Sequence, residues 1–466
     1  MSTTPPPQHD TGKPTLFVGE YASRNVGDGI VKLAIEKLCT THGVAASFRD
    51  FYGGTPAPAE ALHHADDLGT TAPTAADTTD DDATGVASKT ISSNMADLPP
   101  APLRAAGPAP QAPSLPRRLW RALLRVALVN YAIALLFYAT RYRRIAADYQ
   151  VERYKQVVIG GGNLLMDNYV NFPLLILRIV QQCERHGVPV KLFSVGAGKR
   201  YSWLGRKVVA RIVQSQAVEV IICRDSNSQK LITGALNAST DIADSLEHVA
   251  EPHKSTSAAS IHHKIRCSAD CGLYLSRSHN PANPSDTIGL GVIAPSALQA
   301  VAPEHPMADP GYALQWWDAL IGALSDHVGA EHIELISNGS GVDNDFAHAL
   351  WQALAPKYPG LSVCTSIATP GDLLQRIGSY KALAAYRMHA AVTAMALEVP
   401  VIGFEWDPKV LQLFTYCGKR EACIPLAEFT QRPARDIIAT LLRQTPAQLT
   451  SIRQGLDRDF RHATYA

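Results

Sequence analysis

Neither sign of charge prevails in this chain: 43 lysines and arginines stand against 42 acidic residues, a formal net charge of +1. That balance removes any global electrostatic case for nucleic acid or an anionic surface, so a basic site would have to be local. Cysteine is sparse, with eight residues scattered at wide spacing, which is no disulfide framework. The closest pair, Cys267 and Cys271, lies beside His262 and His263, a set that zinc could use. No second pair follows and the segment is polar and loop-like, so surface thiols without a metal are the expectation. The opening residues, MSTTPPPQHDTGKPT, lack the charged start and apolar run of a secretory signal, and a reducing cytoplasm is the expected compartment. Long apolar runs are missing too. The most apolar stretch has an uncharged core from Val126 to Thr140, shorter than the roughly 20 residues a membrane span requires.

At 466 residues the chain is too long for one core, and two domains are the default. Residues 1–13 read as a disordered start, and an N-terminal Rossmann-like domain is expected over 14–250. Within it, 54–116 changes abruptly to Ala, Pro, Thr and Asp, an insert with too little apolar surface to offset its ordering entropy. The apolar segment 117–143 follows, flanked by arginines and interspersed with Trp120, Tyr131, Phe137 and Tyr138. Two readings of it stand: a buried helix of the first domain, or an in-plane helix at the inner face of the cytoplasmic membrane. A linker over 251–286, a C-terminal Rossmann-like domain over 287–430 and a helical tail over 431–466 complete the organisation. Whether that tail packs back on the first domain is not legible in the pattern.

The fold reading rests on alternation. In TLFVGEYASRNVGDGIVKLAIEKL a strand and turn lead into apolar positions Ile30, Leu33, Ala34 and Leu38 at helical spacing. Beyond Tyr154, the runs KQVVIGGG, PVKLFSVGAG and EVIICRDS alternate with helical segments. The pattern restarts with TIGLGVIAP, HIELISNGS, LSVCTSI, YKALAAYR and VPVIGFEWDPKV. This alternation predicts βαβ units in two doubly wound α/β domains facing a cleft. In such sheets ligands bind beyond the carboxyl ends of the strands, and that rule selects the candidates.

Asn25, Gly27 and Asp28 follow the first strand. Gly160, Gly161, Gly162 and Asn163 follow a second, and Gly196 and Gly198 a third. Glycines there let backbone amides approach an anion. No nucleotide-binding G-x-G-x-x-G follows the first strand, which disfavours NAD. Arg224 stands directly after EVIIC, Arg387 and His389 close YKALAAY, and Lys409 follows VPVIGFEW. Two arginines, a lysine and a histidine from three strand ends suggest an anionic ligand that needs a proton donor.

The ordered series NVGD, IGGGN, VGAG, RDSNS, YRMHAAVTAMALEVPVIGF and WDPKV resembles the polysaccharide pyruvyl transferase family. The resemblance runs over 16–51 and 154–417 and is most specific from Arg387 to Lys409. It implies a fold like that of GT-B glycosyltransferases. It also implies phosphoenolpyruvate as donor substrate and an acceptor sugar of a cell-surface polysaccharide or its lipid-linked precursor. It assigns donor binding and catalysis to Arg224, His389 and Lys409. Arg387, Asn25, Gly27, Asp28, Gly160, Gly161, Gly162, Asn163, Gly196 and Gly198 are the expected substrate-binding set, with no cofactor and no metal. The chemistry agrees: a carboxylate and a phosphate on a small enol require cationic clusters, and ketal formation requires a proton on the methylene carbon. His389 is the expected general acid, with Arg224, Arg387 and Lys409 as anion clamps. The sequence departs from the family pattern at Lys199, at Ser245 and Leu246, and in the length of its insert.

Two other readings share these residues. A GT-B glycosyltransferase using a nucleotide sugar would need an acidic residue for the ribose, a role open to Asp343 or Asp345. A non-catalytic, membrane-associated polysaccharide assembly protein would depend instead on the segment from Leu119 to Tyr142.

Overall fold

The computed structural model describes residues 12–21, 26–51, 135–166, 171–198, 200–246, 263–279, 283–429 and 431–465. The insert expected over 54–116, most of the apolar segment and Asn25 lie outside the described residues. Of the described residues, those up to Phe51 and those from Phe137 onward belong to one compact body.

That body contains two six-stranded parallel sheets. The first comprises β1 (Thr15–Gly19), β2 (Ala46–Asp50), β3 (Gln156–Gly160), β4 (Val190–Val195), β5 (Val218–Cys223) and β6 (Ile265–Cys267). Its spatial order is β2-β1-β3-β4-β5-β6. The second comprises β7 (Ile288–Gly291), β8 (Ile333–Ile336), β9 (Ser362–Cys364), β10 (Ala382–Ala385), β11 (Val401–Phe404) and β12 (Cys423–Ile424), in the order β12-β11-β10-β7-β8-β9. Read from its other edge, the second sheet has the Rossmann order 3-2-1-4-5-6. Every predicted strand is present. The central ones are buried along their whole length, which is why they read as unbroken apolar runs: β3, β4, β7, β8, β10 and β11 expose no residue. The fold is two Rossmann-like doubly wound domains facing a cleft.

One stretch departs from the sequence reading. The segment taken as a linker over 251–286 supplies β6, which pairs with β5 through Ile221 and Ile265. It then forms a single tight turn, Cys271–Tyr274, packed between the helices Val26–His42 and Met388–Ala396. Cys267 is exposed, but Cys271 is buried in that turn, and its amide donates to Ser194 Oγ at 2.9 Å. Short strands and turns lack the period that would have marked them.

The tail forms the helix Thr450–Tyr465, which returns to the first domain. Phe460 stacks on Phe17 with centroids 6.2 Å apart and meets Phe193 edge-on at 5.6 Å. Gln156 Nε2 donates to the Thr464 carbonyl at 2.8 Å, and His42 Nε2 lies 2.8 Å from Asp457 Oδ1. The helix thus covers an apolar face that the first domain's own helices leave open. Near the end of the apolar segment, the helix Arg141–Asp148 buries Tyr142, Ile145 and Ala146 against the helix Asn171–His186. Tyr138 receives the Arg178 guanidinium 3.6 Å above its ring. Among the described residues no helix is long and apolar enough to cross a membrane.

Candidate active site

The carboxyl ends of both sheets converge on a cavity of about 90 Å³ lined by Asp28, Asn163, Arg224, Asn338, Arg387, Met388, His389, Trp406 and Lys409. The first three come from the N-terminal domain and the rest from the C-terminal one. Each stands where its strand stops: Arg224 follows β5, Arg387 is two residues past β10, and Lys409 opens the helix after β11.

Arg224 is buried in a fixed frame. Its Nη2 donates to Asn163 Oδ1 at 2.6 Å, and its Nη1 lies 3.5 Å from Asp270 Oδ2. Asp225 holds the turn that aims it, accepting from Ser228 N at 2.7 Å and from Ser228 Oγ at 2.8 Å. Gly196 makes room for the pair: a Cβ there would lie 2.3 Å from Asn163 Oδ1 and 2.7 Å from Arg224 Nε. Only glycine fits beside this guanidinium.

Arg387 is anchored differently. Its Nε donates to Asp343 Oδ2 at 2.8 Å and its Nη2 lies 2.7 Å from the same oxygen, while Asp343 Oδ1 accepts the Ala294 amide at 2.8 Å. Asp343 is fully buried and doubly committed. The ribose role weighed for it is therefore closed, since a carboxylate in that position has no face left for a sugar. Asp345 points outward and is exposed. Trp406 separates the second-domain cations: Lys409 Nζ lies 4.8 Å and the Arg387 guanidinium 5.8 Å from its ring centre. Its Nε1 donates to the Tyr386 carbonyl at 2.7 Å, which fixes the ring.

His389 occupies the first turn of the helix Met388–Ala396. Its Nδ1 stands 3.4 Å from Asp28 Oδ1, and its Nε2, buried in the cavity wall, has no hydrogen-bond partner among the described residues. Burial lowers its pKa below the usual imidazole range. Asp28 and Asp270 oppose that shift, and Arg224 and Lys409 add to it. Burial likewise lowers the Lys409 pKa, against the pull of Asp407 and with the push of Arg224 and Arg387. Burial is the main cause of both shifts; the neighbouring cations add a smaller part, which a bound anion would relieve.

The expectation of glycine amides facing the ligand is not met at three positions. The amide of Gly161 donates to Phe193 O at 3.1 Å, that of Gly196 to Gly162 O at 2.8 Å, and that of Gly198 to Leu165 O at 3.3 Å. These bonds tie the ends of β3 and β4 together. Gly27 and Gly160 are buried in packing, and neither they nor Gly162 line the cavity. Asn338, Trp406 and Asp270 were missed as site residues. Asn338 had the same signal as the arginines, a polar residue just beyond a strand end, but N-G-S reads equally as a turn. Asp270 lies in the segment read as a linker.

Among the described carboxyls, that of Glu20, directly after β1, is the most displaced from its ordinary value. Burial, then the charges of Asp28 and Asp50, push its pKa up from 4.5 to about 8. Because the folded pKa lies above the unfolded one, stability is fully present below pH 4.5 and declines as pH rises towards 8. Glu20→Gln is expected to remove that decline. The variant should be more stable than the parent at pH 8 by on the order of 3 kcal/mol and nearly equal to it at pH 4. Urea midpoints at the two pH values check this.

The chain is an α/β protein of two Rossmann-like domains with a basic, histidine-bearing cavity where they meet. Residues 254–408 match the model of the polysaccharide pyruvyl transferase family, a family of transferases for polysaccharide pyruvylation. The resemblance noted in the sequence is borne out over that range, which includes Arg387 and His389; Arg224 and Lys409 fall outside it. No curated protein matches the chain. Among solved structures, the α,α-trehalose-phosphate synthase (UDP-forming) of Burkholderia vietnamiensis shares 8% identity over 70% of this chain and 71% of its own, with a TM-score of 0.38. The UDP-GlcNAc 2-epimerase of Methanocaldococcus jannaschii shares 10% identity over 97% of this chain and 100% of its own, with a TM-score of 0.42.

Proposed function

We propose that the protein transfers a pyruvyl group from phosphoenolpyruvate to a sugar hydroxyl, forming a pyruvate ketal in cell-surface polysaccharide synthesis. The observation that supports this most is the cavity itself. Three cations and one unpartnered imidazole nitrogen surround about 90 Å³. Three converging cations suit the two anionic groups of a three-carbon acid phosphate.

The donor's phosphate and carboxylate would be held by Arg224, Arg387 and Lys409. Asp28, facing Nδ1, would keep a proton there and leave Nε2 turned to the ligand. A bound polyanion would raise the imidazole's proton affinity, so the donor would charge its own acid. Protonation of the methylene carbon by His389 Nε2 gives an oxocarbenium centre at C2, which a sugar hydroxyl attacks, losing its proton. Cleavage of the C2–O bond then releases inorganic phosphate, and attack by a second hydroxyl of the sugar closes the ketal. An adjoining cavity of about 250 Å³ shares Arg224, Met388 and Lys409 and is walled by Leu273, Leu411, Leu413 and Tyr416. It would give the acceptor room, its apolar sugar face against these side chains.

The test is phosphate release from phosphoenolpyruvate with and without a lipid-linked oligosaccharide extract. Release that depends on the extract is expected. Failure to release with every extract, together with thermal stabilisation by a nucleoside diphosphate, would overturn the proposal in favour of a glycosyltransferase.

A further inference from the structure

Three of the cavity's groups attract any anion, whatever its shape. Asn338 is of another kind. It is 3% exposed and lies two residues past the end of β8, and its Nδ2 has no hydrogen-bond partner among the described residues. Yet it lines the same cavity as the cations. A buried amide donor left without a partner is costly, by an amount comparable to the hydrogen bond it forgoes. Its neighbours hold it there. The Gly339 amide donates to Ser337 Oγ at 3.0 Å, and that hydroxyl donates to Asn344 Oδ1. The turn also abuts the other domain, since a Cβ at Gly339 would lie 2.5 Å from Val26 Cγ2. The second orphan in this cavity is His389 Nε2. Two polar atoms left open in one small charged space point to one ligand.

We infer that Asn338 is a specificity-determining residue of this site, its Nδ2 donating a directional hydrogen bond to an oxyanion of bound phosphoenolpyruvate. The inference rests on the donor proposed above. The cations supply attraction, which falls off slowly with distance and angle; the amide supplies position, because its hydrogen bond weakens steeply when misaligned. It also does so at every pH, whereas the histidine beside it titrates.

The experiment measures phosphoenolpyruvate binding to the full chain by calorimetry for wild type, Asn338→Leu and Asn338→Asp. Thermal unfolding confirms that each variant folds, and Asn338→Ser replaces the leucine variant if that one does not. Loss of one hydrogen bond to a charged group is expected to raise Kd by tenfold to about a hundredfold in Asn338→Leu. A larger loss is expected in Asn338→Asp, where a carboxylate would face the anion. Unchanged affinity in both folded variants overturns the inference and leaves the donor proposal standing. Affinity retained in Asn338→Asp but lost in Asn338→Leu also overturns it, because the amide would then present its oxygen to the cations. Absence of binding to the wild type refutes the donor itself, an outcome separate from the other two.

Discussion

Replacing His389 with glutamine is expected to lower pyruvyl transfer by 10²- to 10⁴-fold, the range over which positioned acids act. Binding of phosphoenolpyruvate should change far less. Glutamine keeps a polar group of similar reach towards Asp28 but cannot deliver a proton to carbon. Single-turnover phosphate release and calorimetric binding, taken together, separate the two effects. In the wild type, turnover should fall as pH is raised through the titration of the imidazole in the complex, because the acid form is consumed. Burial lowers the histidine's pKa in the empty site, so that fall should begin at lower pH when the donor is subsaturating than when it saturates. Wild-type turnover in His389→Gln would remove the histidine from the chemistry.

The second large effect concerns Arg224. Its guanidinium is buried against Asn163 and Asp270, and the Asp270 side chain is itself 5% exposed. Arg224→Met would leave that carboxylate without its cation in a medium that solvates it poorly. The expected loss of stability is roughly 3–5 kcal/mol, the penalty for breaking a buried pair from one side. Adding Asp270→Asn should recover most of this, since a neutral amide tolerates burial better than an unpaired charge. Activity should not return with it, because the double variant would still lack the proposed anion clamp. Urea unfolding reads the first half of this prediction and phosphate release the second. Full activity in the single variant would mean that Arg224 only holds the domain together.

Strand ends were the most legible part of this molecule. The VIIC of EVIIC and the ALAA of YKALAAY are apolar on both faces because those residues are buried on both sides of their sheets, and the residue after each run must lie at the rim of its sheet. That one rule places Arg224, Arg387, His389 and Lys409 around a common opening without any knowledge of the packing. What the rule cannot do is sort the residues at the rim. Asp343 and Asn338 both lie shortly beyond β8, yet the aspartate is sealed beneath Arg387 and the asparagine faces the cavity. The difference comes from the helix Gly341–Leu354, whose rotation about its axis is decided by the core it covers. The glycines illustrate the same limit. Their positions were visible, but the bonds their amides make depend on the register of β3 against β4. Asp270 was hidden for another reason: three-residue strands and single turns have no period to detect.

The helix Thr450–Tyr465 carries a consequence for how the protein comes into being. All six strands of the first sheet leave the ribosome long before the helix that covers Phe17 and Phe193. At elongation rates of about 5–20 residues per second, the roughly 180 residues between β6 and that helix take on the order of ten to forty seconds to synthesise. Throughout that interval the nascent first domain presents an aromatic face to solvent with its cover still unmade. The second domain, by contrast, is synthesised as one uninterrupted block. The half of the molecule that begins folding first is therefore the half that finishes last.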